Sequence, residues 1–200
     1  NYRSMKPDSF DKAYFQRFYF DAGTRVADPS YFDRLAGFIG AYLTFLDCPV
    51  DSILDAGCGP GLSHRELRRA FPGVRIDGID VSEYVCKRYG WQCCSIEDYV
   101  HEGGFDLVVC HDVLQYLDRP AAIQALERLA SLTDVALYFG VLTREDWISN
   151  CNQDRTDGDV YLRSSAWYRR QLSKEFRNAG GGVYVKRDAE VVMYALEHLA

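Results

Sequence analysis

The sequence has no apolar run long enough to span a bilayer, so no membrane association is expected. It has no Cys-x-x-Cys pair, so a zinc site has no ligand pair to start from. It has no internal repeat, linker or low-complexity stretch, and its 200 residues are expected to form one domain, 1–200. It lacks positive charge: 23 Lys and Arg stand against 29 Asp and Glu, a formal net charge of -6. That balance argues against a general binder of phosphate backbones, and no nucleic-acid partner is expected. Residues 2–7 are polar and show no signal-peptide pattern.

What is present points to a folded interior. Hydrophobic residues make up 48% of the chain, which excludes a disordered composition. The 7 cysteines are odd in number and several lie in apolar segments. They fit reduced thiols in a cytoplasmic protein better than a disulfide framework. Adjacent Cys93 and Cys94 point to opposite faces of a strand and read as packing residues.

Strand and helix patterns alternate along the chain. Phe10, Tyr14, Phe15, Phe18, Tyr19 and Phe20 suggest a helical cap. Asp28-Pro29-Ser30 opens a longer helix with Phe32, Leu35, Ala36, Ile39, Leu43 and Leu46 at helical spacing. The expected division is a cap over 1–46 and a core over 50–200. Strands are predicted over 52–55, 74–79, 91–94, 105–110 and 135–141. The run over 105–110 is apolar throughout, as in a strand buried on both faces. Phe71-Pro72-Gly73 ends the helix after the first strand, Ser82 caps the next, and Asp118-Arg119-Pro120 starts another. Residues 143–160 read as a polar loop. Ser165 is expected to cap a helix carrying Trp167, Leu172 and Phe176 that ends at Gly180-Gly181-Gly182. Segments 183–185 and 191–195 read as a closing antiparallel pair. The pattern is α/β, a sandwich of helices around a mostly parallel sheet.

The densest signal is Ile53-Leu54-Asp55-Ala56-Gly57-Cys58-Gly59-Pro60-Gly61, an apolar strand that ends in an acid and opens into a glycine loop. A helix follows, so a ligand at the strand end meets a helix N-terminus. Asp80 ends the second strand, nineteen residues after Gly61. A dinucleotide loop has the form G-x-G-x-x-G, but here the third glycine comes one position early and Leu62 follows it. Asp55 would also repel a pyrophosphate.

This arrangement resembles the cofactor region of the class I S-adenosylmethionine (SAM)-dependent methyltransferases. The resemblance covers residues 50–142 by motif and the tail by topology. It implies a Rossmann-like three-layer sandwich with a seven-stranded sheet, an antiparallel C-terminal strand and an N-terminal helical cap. It implies methyl transfer from SAM to a small-molecule acceptor, releasing S-adenosylhomocysteine (SAH), by a monomer or homodimer. The cofactor would contact Asp55, Ala56, Gly57, Cys58, Gly59 and Gly61 at its methionine end. Asp80 would take the ribose hydroxyls, Val81, Ile96 and Glu97 the adenine, and Cys110 and His111 the strand-four exit. Asp80 could instead only cap the helix near Ser82, and Ile96-Glu97 could be a plain capped turn. Val113-Leu114-Gln115-Tyr116-Leu117 resembles a helix opening of the family with Tyr116 in place of His. His111 is the candidate catalytic base, since imidazole titrates near neutrality; lining the cofactor pocket is its alternative role. Tyr14, Tyr19, Tyr116, Asn150 and Trp167 are candidate substrate contacts, with packing or a solvated loop as the other reading. No carboxylate cluster marks a divalent-metal type, so no metal is assigned, although Asp112 keeps that type open. A non-catalytic SAM or SAH binder and a nicotinamide-dependent oxidoreductase are the alternatives.

Overall fold

The computed structural model describes residues 7–197. Seven strands form one sheet in the order β3-β2-β1-β4-β5-β7-β6. These are β1 Ser52–Ala56, β2 Arg75–Asp80, β3 Gln92–Cys93, β4 Phe105–His111, β5 Thr133–Gly140, β6 Phe176–Gly180 and β7 Val183–Lys186. β1 to β5 pair in parallel, and β7 runs antiparallel to both β5 and β6. The sequence outweighs any ambiguity at the centre: every residue of β1 after Ser52 is buried, as is Leu107–Cys110 of β4. Strands covered on both faces need such continuous apolar runs.

Helices cover both faces. On one face, α2 (Pro29–Phe45) and α3 (Leu62–Ala70) pack Ala36, Ile39, Leu43 and Leu67 against Ile53, Leu107 and Val109. On the other, α5 (Arg119–Leu132) and α7 (Ser165–Leu172) pack Ala125, Leu129 and Leu172 against Leu54, Val108 and Leu137. The helix starts are set by local chemistry. Asp28, Ser82, Asp118, Thr143 and Ser164 each accept a backbone N–H in the first turn that the helix itself cannot satisfy. The two-residue linkage of α4 (Glu83–Tyr89) to β3 begins at Gly90, in the left-handed region. Among the described residues no helix is long and apolar enough to cross a membrane.

Five sequence expectations change, the smallest being that Ser164, and not Ser165, caps α7. α2 is a layer of the sandwich and not part of a cap, because its apolar stripe meets the sheet; the cap is the short α1 (Lys12–Phe15) and the π-helical turn Gln16–Phe20. The polar stretch 143–160 holds a helix, α6 (Arg144–Ser149), nucleated by the Thr143 cap. Phe176 begins strand β6 instead of continuing a helix, and the glycines at 180–182, with φ of 88, 58 and 84°, turn β6 into β7. Residues 191–195 form no strand. That segment is tied back instead by the Arg177 guanidinium, which donates to the carbonyls of Ala189 and Val191.

Candidate functional site

The strand order reverses between β1 and β4, and a crevice opens above their carboxyl ends. The glycine loop forms one wall. Its own amides are committed inward: Gly57 and Cys58 donate to the Ile79 carbonyl at 2.9 and 3.1 Å, and Gly61 donates to Cys58 at 2.9 Å. Gly59 donates to Asp80 Oδ2 at 2.8 Å. Trp91 pins the loop from outside, its indole N–H on the Gly59 carbonyl at 2.9 Å. Gly57 has φ 80°, and a Cβ there would lie 2.2 Å from Val113 Cγ2, so only glycine lets the loop approach the strand-four exit this closely.

Asp80 is buried at the end of β2. Its Oδ1 accepts the Ser82 N–H at 2.8 Å and its Oδ2 the Gly59 N–H. Each carboxylate oxygen offers about two acceptor positions, so each keeps one for a further donor. Burial raises its pKa, against the lowering pull of those amides. Above the crevice lies the cap. The Ser82 hydroxyl donates to the Phe10 carbonyl, and the hydroxyls of Tyr14 and Tyr116 meet at 2.8 Å. Between cap and loop is a cavity of about 210 Å³, lined by Gly57, Gly59, Asp80, Val81, Ile96 and Glu97, and by Tyr14, Tyr19 and Tyr116.

At the exit of β4 the chain is strained. Asp112 has φ 58°, in the region that residues other than glycine seldom adopt. The turn aims the Asp112 carboxylate at the crevice, while its N–H stays on Gly140 at 2.9 Å. His111 stands beside it, with Nδ1 3.4 Å from Asp112 Oδ2 and Nε2 3.0 Å from the Tyr31 hydroxyl. His111, Asp112 and Tyr19 line three cavities at once: the one above, a second of about 140 Å³ and a small one of about 30 Å³. They form the junction of the whole site.

Under the loop sits a second titratable pair. Asp55 and His64 are 3% and 4% exposed, 3.7 Å apart, and Asp55 Oδ2 and both His64 nitrogens have no hydrogen-bond partner. Burial, and then the field of Asp80, pushes the Asp55 carboxyl up to about 7. Burial, and then Arg68, pushes the His64 imidazole down to about 4. Neither is therefore driven to ionise by the other; near pH 6 the two are a neutral pair.

Most of the sequence-predicted residues converge here, but not all. Gly57, Gly59, Asp80, Val81, Ile96, Glu97 and His111 line the main cavity. Cys58 lines the small one. Ala56 and Cys110 are fully buried in the core, so their side chains support the site from behind. Asp55 lies beneath the loop and Gly61 is the N-cap of α3, facing Trp91 rather than the cavity. Trp167 is buried against Tyr168 and Arg163, away from the cavities, because it belongs to the inner stripe of α7. Asn150 is exposed at the end of α6, where its amide caps onto Asp146. Sequence reasoning missed Asp112, Gln115, Tyr31 and Trp91 as site residues. Only Asp112 carried a signal, its place directly after His111; the others reach the site through tertiary contacts.

Comparison with known proteins fits this geometry. Residues 54–135 match a family described as a methyltransferase domain. A ubiquinone biosynthesis O-methyltransferase of Thiobacillus denitrificans is 33% identical over 86 residues, 36% of each chain. A trans-aconitate 2-methyltransferase of Escherichia coli is 29% identical over 125 residues, 59% of this chain and 46% of the relative. The chain thus spans between about a third and a half of the curated relatives it matches. Among solved structures, magnesium protoporphyrin IX methyltransferase from Synechocystis PCC 6803, with bound SAH, superposes with a TM-score of 0.61 at 20% identity. That match covers 90% of this chain and 94% of the other, and shows the shared fold.

Proposed function

We propose that this chain is a class I SAM-dependent methyltransferase and transfers a methyl group to a small-molecule acceptor; the matched methyltransferase stretch and the shared fold support this reading. The observation that carries the proposal is the pairing of an inward-bonded glycine loop with a free-sided Asp80 in one cavity. A pyrophosphate needs loop amides that point at the ligand. Here four of them are already used, which speaks against a nicotinamide dinucleotide. The residues present fit SAM. Asp80 keeps an acceptor position on each oxygen for the two ribose hydroxyls, Val81 and Ile96 offer apolar faces for adenine, and Glu97 its edge.

Bound SAM supplies a sulfonium methyl that is already electrophilic. The protein's own part is to hold an acceptor in line and dry, which lowers the barrier by orientation. His111 is the base that we assign to this site. Its Nδ1 faces Asp112, which leaves Nε2 as the basic nitrogen, shared in this state with the Tyr31 hydroxyl. The second cavity, which shares His111, Asp112 and Tyr19 with the first, supports catalysis over a purely regulatory SAM-binding role, since it provides space for an acceptor. The net charge of -6 supports a small molecule over nucleic acid, and seven free cysteines support a reducing, cytoplasmic setting. We assign a monomer or homodimer.

Calorimetric titration with SAH, with NADH as control, tests the reading. SAH should bind, NADH should not, and Asp80→Ala should weaken SAH by at least about tenfold, the effect of losing hydrogen bonds to a charged group. Binding of NADH but not SAH would overturn it.

A further inference from the structure

Beside the cofactor groove, the cavity of about 140 Å³ has walls of one chemical kind. Phe18, Tyr19, Phe32 and Tyr116 make it aromatic, and Gln115 and Asp157 make it polar. No Lys or Arg lines it among the described residues. Arg17 lies over the Phe18 ring, but from the exposed side of the cap.

Two of the residues lining this space each hold a buried oxygen with no donor: Gln115 Oε1 and Asp157 Oδ2. Gln115 is only 4% exposed. Its Nε2 lies 3.5 Å from Asp112 Oδ1, which orients the amide and leaves Oε1 turned away from that carboxylate. Asp157 uses Oδ1 for the Asp159 N–H at 3.0 Å, so Oδ2 is the sealed oxygen. A buried acceptor without a donor costs about 1–3 kcal/mol, and more when charged. The phenols of Tyr14, Tyr19 and Tyr116 report the same negative environment. Burial raises all three, and the Asp157 carboxylate raises them further. Their protonated hydroxyls and ring faces remain compatible with a cation, while an anion would meet only acceptors, π-faces and carboxylates.

We propose that the acceptor is a small amine, recognised as its ammonium by Asp157 and Gln115 within the rings of Phe18, Tyr19 and Tyr116, and that its nitrogen gives one proton to His111 Nε2, which lines the same cavity, before the freed lone pair takes the methyl group and leaves SAH. This rests on the methyltransferase reading and names its substrate class. An ammonium brings the N–H donors that both oxygens lack, cancels the carboxylate charge and stacks on the rings. A carboxylate acceptor would leave both oxygens unpaired and add a repulsive charge.

The test uses three probes with one ring and different heads: phenethylamine, 2-phenylethanol and 3-phenylpropionate. Each is titrated calorimetrically into the full chain saturated with SAH. Phenethylamine should bind, 2-phenylethanol about tenfold or more weaker, and 3-phenylpropionate not measurably. The tenfold step is that of one charge-assisted hydrogen bond. Asp157→Asn keeps the shape and the Oδ1 contact, so it should fold, bind SAH as the wild type does, and lose phenethylamine affinity by about tenfold or more. SAH binding without phenethylamine binding overturns the amine assignment alone. So does equal or tighter binding of 3-phenylpropionate, or unchanged phenethylamine affinity in Asp157→Asn. Absence of SAH binding overturns the cofactor reading itself, and the amine assignment with it.

Discussion

Asp55 is a carboxyl group kept in a place where a carboxylate is costly. Its pKa of about 7 in the folded chain lies above the ordinary 3.8, so the folded state holds a proton that the unfolded state has released. Stability from this group is therefore whole below about pH 4 and is lost as pH rises towards 7. Asp55→Asn cannot ionise and escapes that loss. It should gain up to about 4 kcal/mol over the wild type at pH 7.5, and little at pH 4. Urea denaturation at the two pH values measures this, and a gain independent of pH would contradict it. Gly57 makes a second residue-scale claim. Alanine there would combine a φ of 80° with a Cβ 2.2 Å from Val113. The left-handed strain alone costs about 1–2 kcal/mol. Gly57→Ala should lower the melting temperature and weaken SAH, while Gly73→Ala, at φ 84° with open space around it, should lower stability only.

At the scale of elements, the cap segment is latched at two points, the Phe10 carbonyl on Ser82 and Tyr14 on Tyr116. Ser82 also caps α4 through the Val85 N–H. Ser82→Ala should cost about 1 kcal/mol from the lost cap and should speed proteolysis within 7–20. SAH should slow that cleavage in the wild type. Cleavage rates that respond to neither change would place the cap outside the site. The elements that the sequence revealed are those with local causes. The glycine loop, Asp80, the Ser82 and Asp118 caps and the buried β4 run were all legible, because turn chemistry and apolar runs act over a few residues. The tail was not. Phe176 fits an apolar helix stripe as well as a strand, and only pairing with β7 decides for the strand. Trp167 and Asn150 show the same limit from the other side: an aromatic or an amide near a loop says nothing about which way it faces. In the sequence Asp112 reads only as a possible metal carboxylate, because its backbone strain exists only in the folded chain.

For the whole molecule, the parallel strands β1 to β5 bring the glycine loop, Asp80, Ile96-Glu97 and His111 to one edge of the sheet, although they are spread over more than fifty residues of chain. The α2 layer adds Tyr31 and Phe32, and the stretch after α6 adds Asp157, so the second cavity is closed by segments far apart in the sequence. The second cavity thus joins residues inside the matched stretch 54–135, His111, Asp112, Gln115 and Tyr116, to residues outside it, Tyr19, Phe32 and Asp157 among them. The most direct measurement is a crystal structure of the SAH complex. The account predicts the ribose hydroxyls on the Asp80 carboxylate, adenine between Val81 and Ile96, and the sulfur end towards His111 and Asp112. Adenosine bound anywhere else, with Asp80 still bonded only to Gly59 and Ser82, would contradict it.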